Sequence, residues 1–288
     1  MRRASTIEKE SLQIVTVEDL TGVFESIAST QVAKVKDKVE LSKEFFRLLW
    51  ARYSSIRVDP GSRITSRDTS AKGAKKVFII ISAEAGLSGD IDQRLIETMM
   101  QDYNPSTTDI VVLGSHGANQ LAQRGIPYIR HYQVPETDSY IDVGPVIDIV
   151  MPYASIVVYY EEYVSLGVQD IKTIDLISSM RRMSEGAVDD EDIMTARDTI
   201  FEPSLEEIAE EMEATMMSLA LSQAILESSL AQAASRFNAM AVAKKRASEL
   251  LNDYRLEYHR AKRSESDRRL REVLVSLKKK KHRIGGRI

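Results

Sequence analysis

The 288-residue chain contains no cysteine and only four histidines. Without thiols, disulfide cross-links, thiolate metal sites and cysteine nucleophiles are excluded together. Four scattered histidines argue against a zinc site as well. No apolar run approaches the ~20 residues that cross a bilayer, so no transmembrane helix is expected. The basic start Met1-Arg2-Arg3 runs into Glu8, Lys9 and Glu10 where a signal peptide would carry an apolar core, which argues against secretion. The most informative gap is longer: between Ser204 and Ile284 there is neither glycine nor proline, the two residues that punctuate chains most strongly.

That gap reads as one very long helix. Pro203, then Ser204 with Glu207 three residues on, form a capping-box start. Ile208, Met212, Leu219, Leu226, Leu230, Phe237, Met240, Leu251, Tyr254, Tyr258, Leu270 and Leu277 then recur at three-to-four spacing. At ~1.5 Å per residue the stretch 204–277 spans on the order of 110 Å, more than a compact globule of this length, so most of it is expected to project and to need a partner. The N-terminus supplies one. From Ser5 to about Tyr53 the only helix breaker is Gly22, and Leu20, Phe24, Ile27, Val35, Val39, Phe46 and Leu49 recur at heptad-like intervals. The two ends are therefore expected to pair as an antiparallel coiled coil, loosened by Gln31 and Lys38 on the seam.

Between them the pattern changes period. Residues 76–82 (KVFIIIS), 109–113 (DIVVL) and 155–160 (SIVVYY) are β-branched runs of the kind buried in parallel sheets, with 91–101 and 143–151 as crossover helices. The fold class is α/β: a long antiparallel coiled coil of the two terminal helices with an inserted Rossmann-like α/β domain. The expected divisions are 1–58 (N-terminal helix), 59–203 (α/β domain), 204–277 (long C-terminal helix) and 278–288 (a frayed basic tail). Residues 182–198 read as a flexible acidic loop.

Charge is divided along the chain. Residues 236–288 carry seventeen Lys and Arg against six Asp and Glu, while 184–213 hold twelve acids and one arginine. None of this forms a convincing chemical site. Gly86-Leu87-Ser88-Gly89-Asp90 follows a strand and opens a helix, where free amides can hold phosphate. It lacks the full glycine motif and the P-loop lysine, and Asp90 would repel an anion, so it reads better as a structural turn. Gly114-Ser115-His116-Gly117 is similar, and no base is nominated for a nucleophilic Ser88 or Ser115. The acids 189–192 lack the glycine of a calcium loop and read as solvated. The basic run 278–283 has no interleaved aromatics for nucleic acid. No catalytic, cofactor or metal residue is assigned.

Several motifs together resemble the gamma subunit of F-type ATP synthases. Along the long helix stand Glu227-Ser228, Ala234-Ser235-Arg236, Ala239-Met240, Ala247, Leu251, Tyr258 and Arg260-Ala261-Lys262. They are similar to that family's E-S pair, A-R-M-x-A-M block and Y-N-x-A-R block, with Phe237, His259 and Lys262 as departures. Phe201-Glu202-Pro203-Ser204 matches the family's approach to this helix, and Ala85-Gly86-Leu87-Ser88-Gly89 resembles its R-G-L-C-G-G turn, with Asp90 in place of the last glycine. At the N-terminus the resemblance is poorer, residues 19–28 keeping the framework but not its basic residue.

The resemblance implies a central-stalk rotor: a non-catalytic shaft coupling proton flow through the membrane sector to ATP synthesis or hydrolysis in a ring of alpha and beta subunits. It implies further partners in the epsilon subunit and the membrane c-subunit ring, and neither nucleic acid nor small-molecule substrate nor cofactor. It places the chain peripherally on the cytoplasmic side of a bacterial inner membrane. Arg268 and Arg269 are the expected contacts with an acidic loop of beta, and Leu87 and Ser88 are further candidates for partner contact. The competing readings are a non-motor coiled-coil scaffold with an α/β domain and a Rossmann-type nucleotide enzyme.

Overall fold

A computed structural model describes residues 2–55, 75–134, 141–176 and 205–285. The loop 60–74, the acidic loop 182–198 with its acids 189–192, the capping residue Ser204 and the end of the tail at 286–288 lie outside the described residues. The order of elements is α1 (Ala4–Ser55), β1 (Lys76–Ile81), α2 (Ile91–Asp102), β2 (Thr108–Leu113), α3 (Ser115–Gln123), β3 (Arg130–Tyr132), α4 (Gly144–Val150), β4 (Ser155–Ser165), β5 (Val168–Asp175) and α5 (Leu205–Gly285). The chain divides into two compact units, Ile27–Asn238 and the paired segments Met1–Ser26 and Ala239–Ile288.

Within Ile27–Asn238 the five strands form one sheet in the order β3-β2-β1-β4-β5. β1 to β4 run parallel, and β5 returns antiparallel to β4 through a hairpin at Leu166-Gly167. Alternation sends successive side chains of β1 to opposite faces. Phe78 and Ile80 pack with Ile110, Val112 and Tyr159 under Leu95, Ile96 and Met99 of α2 and Leu121 of α3. Val77, Ile79 and Ile81 pack on the other face with Val158 and Tyr160, covered by Val146, Ile147 and Val150 of α4 and by Met217, Leu221, Ala224 and Ile225 of α5. Both faces are buried, which is why the central strands are continuous apolar runs. In the same unit Val35 and Val39 of α1 pack on Leu230 of α5.

In the other unit the first turns of α1 lie antiparallel to α5. Ala4 and Ile7 are buried with Ala261, flanked by Tyr254 and Tyr258. The Ala4 amide donates to Glu265 at 3.1 Å, and Lys244 pairs with Glu25 at 2.9 Å. Gly22 sits beside the aliphatic stem of Lys244, where an added Cβ would lie in ordinary contact, 3.6 Å from Lys244 Cε.

The expected end of the long helix is corrected. α5 does not stop at Leu277 with a frayed tail from 278 onward but runs through the basic stretch to Gly285. Lysine and arginine are good helix formers, and positive charge at a helix C-terminus is favoured by the helix dipole. The first residue able to stop this helix is Gly285 itself. Three elements were not anticipated: α3, β3 and β5. α3 opens on Ser-His-Gly, β3 has only three residues, and β5 (VQDIKTID) alternates charged with apolar residues at the sheet edge.

Candidate functional site

The parallel strands of a doubly wound sheet end on a crevice where the connections diverge to opposite sides, the usual place for a ligand. Here that point lies between β1, whose connection leads to β2, and β4. Ile80 pairs with Tyr159 in the last rung the two strands share. Two residues on, Glu161 of β4 stands beyond the end of β1, fully buried.

The crevice is filled by the chain itself. α5 approaches closely because Ala231, Ala233 and Ala234 are small and buried. From it the Ser228 hydroxyl lies 3.3 Å from both the Ile81 carbonyl and Glu161 Oε2, and Gln232 Nε2 donates to Ser228 at 3.0 Å. Ser235 donates its hydroxyl to the Ser88 carbonyl at 2.6 Å, and Arg236 reaches the Ala85 carbonyl at 3.2 Å. Next to Ser228, the buried carboxylate of Glu227 accepts from Lys43 of α1 at 3.1 Å and from the Tyr160 hydroxyl at 3.4 Å. α1, β4 and α5 are thus tied at one residue. Burial, together with the charges of Glu227 and Glu162, pushes the Tyr160 hydroxyl far above its ordinary value, so it keeps the proton it donates to Glu227.

The turn 82–90, the phosphate candidate, is occupied internally. Asp92 in the first turn of α2 accepts from the Ala83 amide at 2.9 Å and the Ser88 hydroxyl at 2.8 Å, with His116 Nδ1 at 2.9 Å. Its carboxylate takes the place an external anion would need. Gly114-Ser115-His116-Gly117 is equally committed. Glu84 accepts from the Ser115 hydroxyl at 2.6 Å and from the Val134 amide, and the Gly117 amide donates to Ser82 Oγ at 3.0 Å. Gly114 has φ +100°, and a Cβ there would collide with the Ser82 carbonyl, so only glycine fits this turn. Ser88 and Ser115 each face a carboxylate, which holds them in structural hydrogen bonds.

The four residues expected to meet partners are placed differently. Leu87 is 55% exposed, with φ 69°. Ser88 beside it is fully buried, its hydroxyl given to Asp92 and its carbonyl taken by Ser235. Arg268 and Arg269 are exposed on α5, Arg268 pairing with Glu272 one turn on at 3.5 Å. Sequence reasoning found Glu227, Ser228, Ser235 and Arg236 as motif residues but missed Lys43, Asp92, Tyr160, Glu161 and Gln232. The available signal was Glu161-Glu162 at the end of an otherwise apolar strand, since a carboxyl continuing a buried run needs a buried partner.

The family model described as ATP synthase matches residues 5–276. Among curated proteins the chain is similar to the ATP synthase gamma chain of Malacoplasma penetrans, 22% identical over 96% of this chain and 99% of that one. The gamma chain of Chlorobium limicola is 22% identical over 91% and 93%. Among solved structures, the rotor of the Euglena gracilis mitochondrial ATP synthase matches with TM-score 0.61 and 13% identity, over 90% of this chain and 98% of that one. The central stalk and c-ring structure from Tetrahymena thermophila matches with TM-score 0.57 and 16% identity, over 78% and 99%.

Proposed function

The chain belongs to the ATP synthase gamma-chain family, and from that premise we propose that it is the central-stalk rotor subunit of an F-type ATP synthase. It couples ion flow through the membrane sector to ATP synthesis or hydrolysis in a ring of alpha and beta subunits. The observation that carries the reading is the junction at Glu227, Ser228, Ser235 and Arg236. A shaft transmits torque only if it cannot slip on the body that turns it, and these side chains fix α5 to the sheet and to the turn after β1 by hydrogen bonds at two levels of the helix. The subunit is itself non-catalytic, because its switch-point crevice is filled by its own helix. It is held peripherally at the membrane through its partners: the alpha and beta ring, the epsilon subunit and the c-subunit ring. Location on the cytoplasmic side of a bacterial membrane fits the bacterial relatives.

A stiff helix presenting different faces to surrounding subunits biases each toward a different conformation, which is what a rotary mechanism requires. Leu87, exposed at the turn, and Arg268 and Arg269, exposed on α5, are the proposed contact residues on this chain. Copurification tests the assignment. The tagged chain is expected to bring down alpha and beta subunits in a complex that hydrolyses ATP, and recovery of the chain without them would favour a non-motor scaffold.

A further inference from the structure

The buried carboxyl at the sheet's open end has no role in the reading above, and it presents an electrostatic problem. Glu161 is fully buried, its Oε2 faces the Ser228 hydroxyl, and its Oε1 meets no hydrogen-bond donor. A second carboxylate, Asp92, is also fully buried and lies alongside it. Asp92 already accepts from Ala83 and Ser88 and faces His116 Nδ1. The charged groups that act on Glu161 are Asp92 from α2 and Arg236 from α5, and His116 from α3 faces Asp92. Next to Glu161 on β4 stands Glu162, paired with Lys172 of β5. Glu227 is answered by Lys43 of α1. That leaves Arg236, half-buried and attracted by both Asp92 and Glu161, as the cation serving two acids.

We propose that Glu161 and Asp92 form a proton-binding site, in which Glu161 is a neutral carboxylic acid donating its Oε1 proton to the Asp92 carboxylate. The arrangement closes both accounts. An oxygen that as a carboxylate would be an orphan acceptor becomes a donor. The pair then carries one negative charge, which Arg236 balances. Burial, and after it the charge of Asp92, push the Glu161 carboxyl well above the ordinary carboxylate range, which supports the same protonation state. Because Ser228 joins Glu161 to α5 and Asp92 joins it to the 82–90 turn, the proton is a structural part of the junction between helix and sheet. None of this depends on the chain being a rotor, and its test reads no motor activity.

The sign of the pH dependence follows. In the unfolded chain Glu161 gives up its proton near the ordinary carboxylate value of about 4.3. Folding at higher pH therefore takes a proton up. The resulting stability is fully present below that value and is lost as pH rises toward the raised folded value.

Infrared spectroscopy of the full-length wild-type chain at about pH 8, where exposed carboxyls are ionised, is expected to retain a protonated-carboxyl C=O stretch that shifts in deuterium oxide. The band is expected to vanish in Glu161→Gln, whose amide still donates to Asp92. That variant should also show a flatter dependence of Tm on pH and a higher Tm than wild type on the alkaline side. Should Glu161→Gln fail to fold, carbon-13 labelling of glutamate in the wild-type chain identifies the band instead, because it lowers the stretching frequency of a glutamic acid C=O and leaves that of an aspartic acid in place. A wild-type spectrum without the band overturns the proposal, as does a band that survives in Glu161→Gln or, where that variant does not fold, one that glutamate labelling does not move.

Discussion

Ser235 is the residue at which the long helix grips the turn that follows β1. Its hydroxyl has a short hydrogen bond to the Ser88 carbonyl, and the side chain is largely shielded from water. Ser235→Ala leaves that carbonyl unsatisfied, which costs about 1–3 kcal/mol for a buried polar group. The expected outcome is a lower urea midpoint with an unchanged m-value, since the loss is local and the surface exposed on unfolding stays the same. An unchanged midpoint would place the carbonyl in contact with water. At this scale sequence reading reached half of the junction. Ser235 and Glu227 stood out because they lie in a motif on a long uninterrupted helix. Their pairing did not, because Lys43, Tyr160 and Ser88 are brought to them by tertiary folding across 184, 67 and 147 residues of chain. Asp92 carries no sequence signal, since acids are common in a helix's first turn, and only burial turns it into the centre of a network.

Elements follow a different logic, because period and punctuation are local. α1, α5 and the three apolar strands were legible from spacing and from the missing glycines and prolines. β5 was hidden because its pairing with β4 leaves one side open to water, which permits Asp170, Lys172 and Asp175 in the strand. The helix end was misplaced for the opposite reason: a lysine run looks like a tail but is fully compatible with helix. On α5 itself, Arg268 is tied only by an exposed pair to Glu272, worth about 0.3–0.5 kcal/mol. Both arginines are therefore free to exchange solvent for a carboxylate on a partner. Adjacent helical positions point about 100° apart, so the two address different surfaces. Reversing both to glutamate is expected to leave the helical circular dichroism of the chain intact and to lower rotation-coupled ATPase in the assembled complex. Equal turnover and coupling in the variant would assign both arginines to a solvated face.

For the whole molecule, the two units differ in what holds them. Ile27–Asn238 has a sheet buried on both faces, whereas the other unit rests on two helices with a small cluster around Ala4, Ile7 and Ala261. Apolar side chains on those helices remain exposed: Leu12, Val17, Leu20 and Val23 on α1, and Leu256, Leu270, Val273, Leu274 and Leu277 on α5. The first residue of α1, Ala4, already lies opposite Glu265. Beyond that position α5 is a helix without buried side chains among the described residues, and an unsupported helix in water is marginal because propagation alone gains little per residue. Burial of Leu251 and Ala261 marks how far along α5 that support reaches. Hydrogen exchange on the free chain is expected to be slowest in β1, β2 and β4 and to lose protection along α5 after about Glu265. Assembly with a catalytic ring that covers Leu270 to Leu277 should restore it there while changing little in the sheet. Uniformly strong protection through Leu277 in the free chain would mean that the helix end is stable alone, and that its apolar residues need no partner to hold it.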